Sequence, residues 1–378
     1  MMGLFTPLSL PSLTLPNRIL MAPMTRGRAR PDDHVPTPEM ATYYSMRADG
    51  GLLMTEAACV SPRARGWNGA PHIYSAEHVE GWIPVTDAVH AAGGRIYLQL
   101  WFVGRVSHPD FLDGGLPWGP SAIAPDHHVY NPASERKDCV TPHEMTLEDI
   151  ATAIADFRHG ARLAMAAGFD GVQLHTANGY LPDQFLRDRA NRRTDGYGGT
   201  IRNRIRFLRE LVEAVCSEIG GGRVAVRLSP RNTYNDIDDS DPWALFGATA
   251  EAMNDYSLSF IEVMEGLPGH FLHKPGAPVL PVMRDAFKGV MVANGGYDRD
   301  TADAAIRSGG VDAVAFGIPY LANPDLVQRF RVGAPLNGAD ADTFYSPGEP
   351  GYLDYPTLAD GAPKGEYKAL TLDEARVH

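Results

Sequence analysis

The amino-acid sequence predicts an α/β protein, a single (β/α)₈ barrel that covers residues 1–378. Short apolar runs recur eight times along the chain, and the segments between them carry the helical repeat of apolar residues, as in 147–167 and 202–219. Strands that alternate with helices form a parallel sheet, and eight such units are typical of a closed barrel rather than an open sheet. The fold therefore predicts where catalytic side chains should lie, at the carboxyl ends of the strands.

The predicted strands are, in order, 19–22, 51–60, 95–101, 171–175, 224–229, 260–265, 290–295 and 313–317. Ahead of them, residues 1–16 alternate apolar and turn residues, which indicates a small N-terminal β-hairpin lid. The proline-rich stretch 104–146 shows no clear element, so we interpret it as a lid or rim insertion after the third strand. The segment 333–378 is rich in glycine, proline and tyrosine, and we expect it to pack on the barrel as a tail.

Composition excludes several classes of protein. Apolar residues make up 44% of the chain and charged residues 21%, which is typical of a globular protein with a sizeable core. The 46 acidic and 34 basic residues give a net charge of −12, which disfavours binding to nucleic acid or to anionic membranes. The sequence has no run of about 18 apolar residues, and its first residues lack a basic n-region, so we expect a cytoplasmic protein.

The cysteines and histidines do not predict a metal site. Cys59, Cys139 and Cys216 lie far apart and never form a Cys-x-x-Cys pair, which excludes a disulfide framework and a zinc or iron–sulfur knuckle. The adjacent His127 and His128 are either metal ligands or solvated loop residues, and no third ligand lies at a telling spacing. We therefore predict no metal, and any redox chemistry must come from a cofactor.

The strand at 171–175 carries the clearest catalytic pattern. It delivers His175, Asn178 and Tyr180 within six residues, at the point where a buried strand ends. A sheet core does not need an imidazole, an amide and a phenol side by side. A carbonyl group that must be polarised and then protonated can use all three, so we predict that these residues are catalytic.

Other strand ends carry residues that suit a nucleotide. An amide at Gln99, a guanidinium at Arg227 and a hydroxyl at Thr25 can bind a planar heterocycle with several carbonyl edges. Small residues at the ends of the last two strands can bring backbone N–H groups close to a phosphate; they are Gly295, Gly296 and Gly317, next to Asn294. Each group also has an alternative role without a ligand. Gln99 and Arg227 could form a polar layer inside the barrel, and the glycines could simply allow turns. Ring and phosphate together predict flavin mononucleotide (FMN).

The chain resembles the Old Yellow Enzyme family of flavin-dependent ene-reductases, because several of that family's motifs occur in it in the same order along the sequence. The resemblance extends from residues 4–8 to residues 351–357, and its motifs are 17–26, 35–38, 99–101, 104–105, 175–180, 193–199 and 322–325. It implies an enzyme with bound FMN that uses NADPH or NADH to reduce the C=C bond of α,β-unsaturated carbonyl or nitro compounds. We expect a small-molecule unsaturated substrate and a monomer or homodimer.

The resemblance assigns roles in cofactor binding. Thr25 would donate to the flavin C4 carbonyl, Gln99 would hold the pyrimidine edge, and Arg227 would stabilise the reduced ring near N1 and O2. The side chains that would line the isoalloxazine are those of Pro23, Met24 and Ala57, and His175 would also contact the cofactor. The family usually has arginine after the glycine at position 317, where it binds the flavin phosphate, and this chain has Ile318.

The resemblance also assigns roles in substrate binding. His175 and Asn178 would donate to the substrate's carbonyl oxygen, and Tyr180 would protonate the α-carbon after flavin N5 gives a hydride to the β-carbon. Trp101 and Tyr352 would bound the substrate pocket, with Trp67 and Phe271 as further candidates. The alternatives are a flavin-free barrel lyase or hydrolase, which needs a Schiff-base lysine or a metal cluster, and a non-catalytic barrel that binds a small ligand.

Overall fold

Eight parallel strands close into a barrel in the computed structural model, which describes residues 3–361 and 363–367. The strands are β1 (Ile19–Met21), β2 (Leu52–Cys59), β3 (Ile96–Trp101), β4 (Gly171–His175), β5 (Val224–Leu228), β6 (Phe260–Met264), β7 (Met291–Asn294) and β8 (Ala313–Phe316). Each strand pairs in parallel with the next along the chain, and β8 pairs with β1 to close the ring. The predicted barrel is thus confirmed.

Helices follow the strands around the outside of the barrel. In the described part of the chain they are α1 (Pro38–Ser45), α2 (Ala76–Ala91), α3 (Leu147–Ala166), α4 (Leu181–Leu186), α5 (Ile201–Ile219), α6 (Pro242–Ala252), α7 (Leu280–Ala286), α8 (Arg299–Arg307), α9 (Ile318–Ala322) and α10 (Leu326–Val332). Capping residues set the starts of the two longest predicted helices. Thr146 accepts a hydrogen bond from the N–H of Asp149 at the start of α3, and Thr200 accepts from Asn203 at the start of α5.

The N-terminal hairpin covers the bottom of the barrel. Its strands, Leu8–Ser9 and Thr14–Leu15, pair in antiparallel fashion. Leu8 and Leu15 are buried against Leu20, Phe260 and other apolar residues that begin the barrel strands. The hairpin therefore closes the amino ends of the strands, opposite the carboxyl ends where the site was predicted.

The insertion at 104–146 contains short strands that the sequence did not reveal. His128–Tyr130 pairs with Arg136–Asp138 in an antiparallel hairpin, and Trp118–Gly119 pairs in parallel with His143–Glu144. Segments of two or three residues are too short to show an alternation of apolar and polar residues. The prediction of a stretch without elements was wrong for this reason.

Buried arginines attach the C-terminal segment to the first strand-to-helix loop. Arg26 donates from Nη2 to the carbonyl oxygen of Gly351 at 2.7 Å, and Arg28 donates from Nη1 to that of Phe344 at 3.0 Å. Both arginines are buried. The part of the predicted tail at 362 and 368–378 lies outside the described residues.

Within the described ranges, none of the helices is both long enough and apolar enough to span a lipid bilayer.

Candidate active site

The carboxyl ends of the strands enclose a cavity of about 250 Å³, here called the inner cavity. Ten of the predicted site residues line it: Pro23, Met24, Thr25, Ala57, Gln99, Trp101, His175, Asn178, Tyr180 and Arg227. They come from β2, β3, β4, β5 and the loops that follow the strands. Because the strands are parallel, their carboxyl ends meet at one mouth of the barrel and bring these side chains together.

A larger cavity of about 1130 Å³, the outer cavity, adjoins the inner one. The two share five aromatic lining residues, which are Trp67, Trp101, Tyr180, Tyr234 and Tyr345. The hairpin of the 104–146 insertion and the loop after β5 supply much of the outer wall. The insertion therefore borders the approach to the inner cavity.

Asn178 sits in a left-handed turn just after β4. Its φ is 58°, a conformation that asparagine tolerates better than most residues. Its backbone N–H donates to Ser229 Oγ at 2.8 Å, and its carbonyl oxygen accepts from Asn235 Nδ2 at 2.7 Å. The turn directs His175, Asn178 and Tyr180 toward one space, where the His175 and Tyr180 rings lie 4.8 Å apart at 74°.

Burial fixes the protonation states of the two titratable residues in this turn. Burial lowers the pKa of His175 well below its usual value of 6.5, and the nearby charge of Arg227 lowers it further. Burial likewise raises the pKa of the Tyr180 phenol well above its usual value of 10.0. At neutral pH the cavity therefore holds a neutral imidazole and a protonated phenol.

Two buried nitrogen atoms beside the cavity have no hydrogen-bond partner among the described residues. They are His175 Nδ1 and Trp101 Nε1. Both atoms are enclosed by protein and do not open onto the cavity, whereas the other ring nitrogen, His175 Nε2, makes no hydrogen bond with described residues and is not enclosed in this way, so it can meet a bound molecule. Both belong to residues predicted to bind substrate.

A chain of hydrogen bonds runs beneath the inner cavity from β3 to β6. Gln99 donates from Nε2 to Gln173 Oε1 at 2.8 Å, and Gln173 donates from Nε2 to Glu262 Oε2 at 2.6 Å. Arg227 donates from Nε to the other oxygen of Glu262 at 3.0 Å. An ionised carboxylate only accepts, so Glu262 fixes the direction of both amides and leaves Gln99 Oε1 facing the cavity as an acceptor.

Gln173 and Glu262 were not predicted from the sequence. Both are fully buried, and both lie within strands rather than at their ends. A signal was present at Glu262, because a charged residue in the apolar strand Phe260–Met264 needs a buried partner. Arg227 on β5 is that partner.

These residues fit an isoalloxazine ring. Gln99 Oε1 can accept from the ring's N–H, while the Thr25 hydroxyl and the terminal nitrogens of Arg227 form no hydrogen bond with described residues and can donate to its carbonyl edges. A buried cation beside the ring favours its reduced, anionic form. Pro23, Met24 and Ala57 offer apolar surface in the same cavity.

The residues predicted at the phosphate end do not line the inner cavity. Gly295 and Gly296 have φ values of 119° and 87°, which favour glycine. A Cβ on Gly296 would lie 2.9 Å from the Cβ of His270, so the loop after β6 packs closely over it. Asn294 donates from Nδ2 to the carbonyl oxygen of Ala315 at 2.9 Å, and Gly317 precedes Ile318, which does line the cavity.

The prediction that Tyr352 bounds the substrate pocket was wrong. Tyr352 is fully buried, its ring stacks on Tyr43 at 4.1 Å, and the guanidinium of Arg28 lies 4.4 Å from its centre. Tyr345 instead lines both cavities. The segment has several tyrosines without a regular repeat, so the sequence does not show which of them faces the site.

The two further aromatic candidates and the histidine pair all line one of the two cavities. Trp67 and Phe271 both line the inner cavity. His127 and His128 line the outer cavity with their rings 5.3 Å apart. Across the described ranges, no group of histidine, cysteine and acidic side chains has an arrangement that could hold a metal ion.

The sequence matches the NADH:flavin oxidoreductase / NADH oxidase family over residues 3–337. A probable flavin mononucleotide-dependent alkene reductase of Leishmania infantum is 43% identical over 360 residues, which cover 93% of this chain and 96% of that protein. The protein 12-oxophytodienoate reductase 1 of Oryza sativa subsp. japonica is 41% identical over 365 residues, with coverages of 94% and 93%.

Solved structures match along nearly the same length. The old yellow enzyme homologue of Zymomonas mobilis (NCR) gives a TM-score of 0.91 at 42% identity and covers 94% of this chain and 99% of that one. Morphinone reductase in complex with tetrahydroNAD gives a TM-score of 0.89 at 42% identity, with coverages of 96% and 100%.

Proposed function

This chain belongs to the NADH:flavin oxidoreductase / NADH oxidase family, and we propose that it reduces activated C=C bonds of α,β-unsaturated carbonyl or nitro compounds in the inner cavity. The family and the alkene-reductase relative confirm the sequence-based prediction of an FMN-dependent oxidoreductase of the Old Yellow Enzyme type. Reduced nicotinamide is the electron donor, and the preference for NADPH over NADH stays a prediction.

FMN, when bound, supplies hydride transfer, from the reduced nicotinamide to the ring and then to the β-carbon of the acceptor. Thr25, Gln99 and Arg227 would hold its polar edge, and Pro23, Met24 and Ala57 its apolar faces. The phosphate would lie near Asn294, Gly295, Gly296 and Gly317.

His175 and Asn178 would donate hydrogen bonds to the acceptor's oxygen. Addition of hydride to the β-carbon builds negative charge on this oxygen, so donors fixed in a buried site bind the transition state more strongly than the ground state. The low pKa of His175, caused by burial, keeps the imidazole neutral. It therefore acts as a hydrogen-bond donor and not as a charged acid.

Tyr180 would give its proton to the α-carbon. Burial raises the pKa of the phenol, which keeps the proton available across the neutral range. Trp101 lies 4.9 Å from the Tyr180 ring at 84° and holds it at the junction of the two cavities. From this position the phenol can be reprotonated by solvent that enters through the outer cavity.

One observation carries the proposal: His175, whose Nε2 makes no hydrogen bond with described residues, lines the same cavity as the amide of Asn178 and the phenol of Tyr180. A flavin-free lyase or hydrolase needs a Schiff-base lysine or a metal cluster, and neither is found among the described residues that line the inner cavity. A non-catalytic barrel would not need the proton of a buried phenol.

The test is anaerobic titration of the purified yellow protein. NADPH or NADH should bleach the flavin absorbance, and an excess of a cyclic enone or nitroalkene should restore it, with the saturated product formed in equal amount. Bleaching without recovery across a panel of enones, maleimides and nitroalkenes would contradict the proposed acceptor class.

The cytoplasmic location, the monomeric or homodimeric state and the division of 1–378 into one domain with its lid and tail stay predictions from the sequence.

A further inference from the structure

The carboxamide of Asn178 presents a problem of direction. It has a donor at Nδ2 and an acceptor at Oδ1, and the two ends have nearly the same shape. Only the donor stabilises negative charge on an acceptor's oxygen, whereas the other orientation would repel it. If Asn178 acts as proposed, another residue must fix the orientation of its amide.

Asn232, in the loop after β5, makes the contact that can do this. It donates from Nδ2 to Asn178 Oδ1 at 2.8 Å. Its own Oδ1 accepts from the backbone N–H of Tyr234 at 2.9 Å. A backbone N–H can only donate, so Asn232 must turn its oxygen to Tyr234 and its nitrogen to Asn178.

The orientation of Asn178 follows from this contact. With Oδ1 occupied by Asn232, its Nδ2 is left toward the inner cavity, where no described residue accepts a hydrogen bond from it. The backbone of Asn178 is held separately by Ser229 and Asn235. Asn232 therefore controls the rotation of the carboxamide and not the position of the turn.

Asn232 itself is well fixed. It is 4% exposed and lines the inner cavity. A buried amide with both ends hydrogen-bonded would leave unsatisfied polar groups if it turned over, so it stays in this orientation.

We propose that Asn232 is a positioning residue, which holds the Asn178 amide with its nitrogen turned to the acceptor's oxygen. This inference rests on the proposed function, because the oxygen that Asn178 binds belongs to the acceptor.

Asn232→Asp is the most informative variant, because it changes polarity with almost no change in shape. A carboxylate keeps an acceptor for the N–H of Tyr234 but can only accept from Asn178. The Asn178 amide then turns its nitrogen to Asp and its oxygen to the cavity. Binding of para-hydroxybenzaldehyde as its phenolate, followed by the change in flavin absorbance of the oxidised holoprotein, should weaken by roughly 100-fold. Enone turnover should fall by about 10²-fold, with flavin content unchanged.

The added charge of the aspartate is controlled for in an Asn178→Ala background. If Asn232 acts through Asn178, the Asn232→Asp change alters phenolate binding by less than about threefold when Asn178 is already absent. An equal loss in both backgrounds means that charge alone explains the effect, and this overturns the inference.

Asn232→Ala gives a second measurement if the aspartate variant folds poorly. It frees the Asn178 amide to rotate without forcing it over, so phenolate binding should weaken by only about 3- to 10-fold. If the wild-type protein binds the phenolate and both folded variants bind it with the same affinity, the role of Asn232 is overturned and the proposed function is not. A wild-type holoprotein that neither binds phenolates nor reduces enones overturns the proposed function, and this inference with it.

Discussion

Two walls of the inner cavity hold side-chain amides, and their partners fix them with opposite polarity. On one wall Glu262 accepts from Gln173 and Gln173 accepts from Gln99, so the series ends in an acceptor at Gln99 Oε1. On the other wall the N–H of Tyr234 donates to Asn232 and Asn232 donates to Asn178, so the series ends in a donor. The orientation of a side-chain amide is fixed only by a partner that is solely an acceptor, such as a carboxylate, or solely a donor, such as a backbone N–H.

The two walls serve different partners in our account. The wall that ends at Gln99 Oε1, here called the acceptor wall, faces the proposed place of the flavin ring, which offers an N–H. The wall that ends at Asn178, here called the donor wall, faces the oxygen of the unsaturated substrate, which becomes negative during the reaction. Changes to the first wall should therefore affect cofactor affinity, and changes to the second should affect phenolate binding and turnover.

The largest effect on the acceptor wall is expected from Glu262→Gln. The neutral amide no longer fixes Gln173 and Gln99, and Arg227 loses its buried counter-charge, which is 3.0 Å away in the wild type. Charge-assisted hydrogen bonds are worth about 1.5–3 kcal/mol, so the FMN dissociation constant of the apoprotein should rise by roughly 10- to 100-fold. Quenching of flavin fluorescence measures it.

Glu218→Gln is the matched control for this change. Glu218 also binds arginines, Arg158 and Arg162, but these lie half-exposed on the outer helices. Its loss should leave FMN affinity unchanged. Unaltered FMN affinity in Glu262→Gln would show that the acceptor wall does not orient a flavin.

A smaller effect on FMN affinity is expected at the phosphate end, where Ile318 stands in place of the arginine that is usual in the family. Ile318→Arg should add one charge-assisted contact and lower the FMN dissociation constant by about 10-fold. Arg299 is a poor substitute, because it pairs with Asp300 at 2.8 Å and its guanidinium lies beside Gly333. Arg299→Ala should therefore change FMN affinity little. A large loss in Arg299→Ala, with no gain in Ile318→Arg, would reverse this assignment.

The smallest effect is expected from a change of pH, which could act on His175 and Tyr180, the titratable neighbours of Asn178. His175 becomes charged only below its lowered pKa, and Tyr180 loses its proton only above its raised pKa, both because of burial. Both groups thus keep their working forms from about pH 6 to about pH 9, and reoxidation of the reduced enzyme by an enone should vary by less than about threefold. A sigmoidal profile with a midpoint near the ordinary histidine pKa would show a charged His175 in the reaction.

The sequence was sufficient for the barrel and for most of the cavity, because parallel strands are apolar runs and their ends deliver the functional groups. The charge of Glu262 shows that it needs a buried partner, but a polar residue inside a strand does not show which residue of another strand that partner is, so the connection through Gln173 was not predicted. Asn232 and Tyr345 lie in loops, where the direction of a side chain depends on a backbone path without a repeat. The same difficulty made the prediction for Tyr352 wrong.

The most direct test of the account is the pair of half-reactions of Tyr180→Phe, followed separately by anaerobic stopped-flow absorbance. The phenol acts only when the acceptor takes its proton, so reduction of the flavin by NADPH should stay within about twofold of the wild-type rate. Reoxidation by an enone should slow by about 10²-fold or more. Equal slowing of both half-reactions would show that Tyr180 shapes the cavity rather than donating a proton, and would contradict the account.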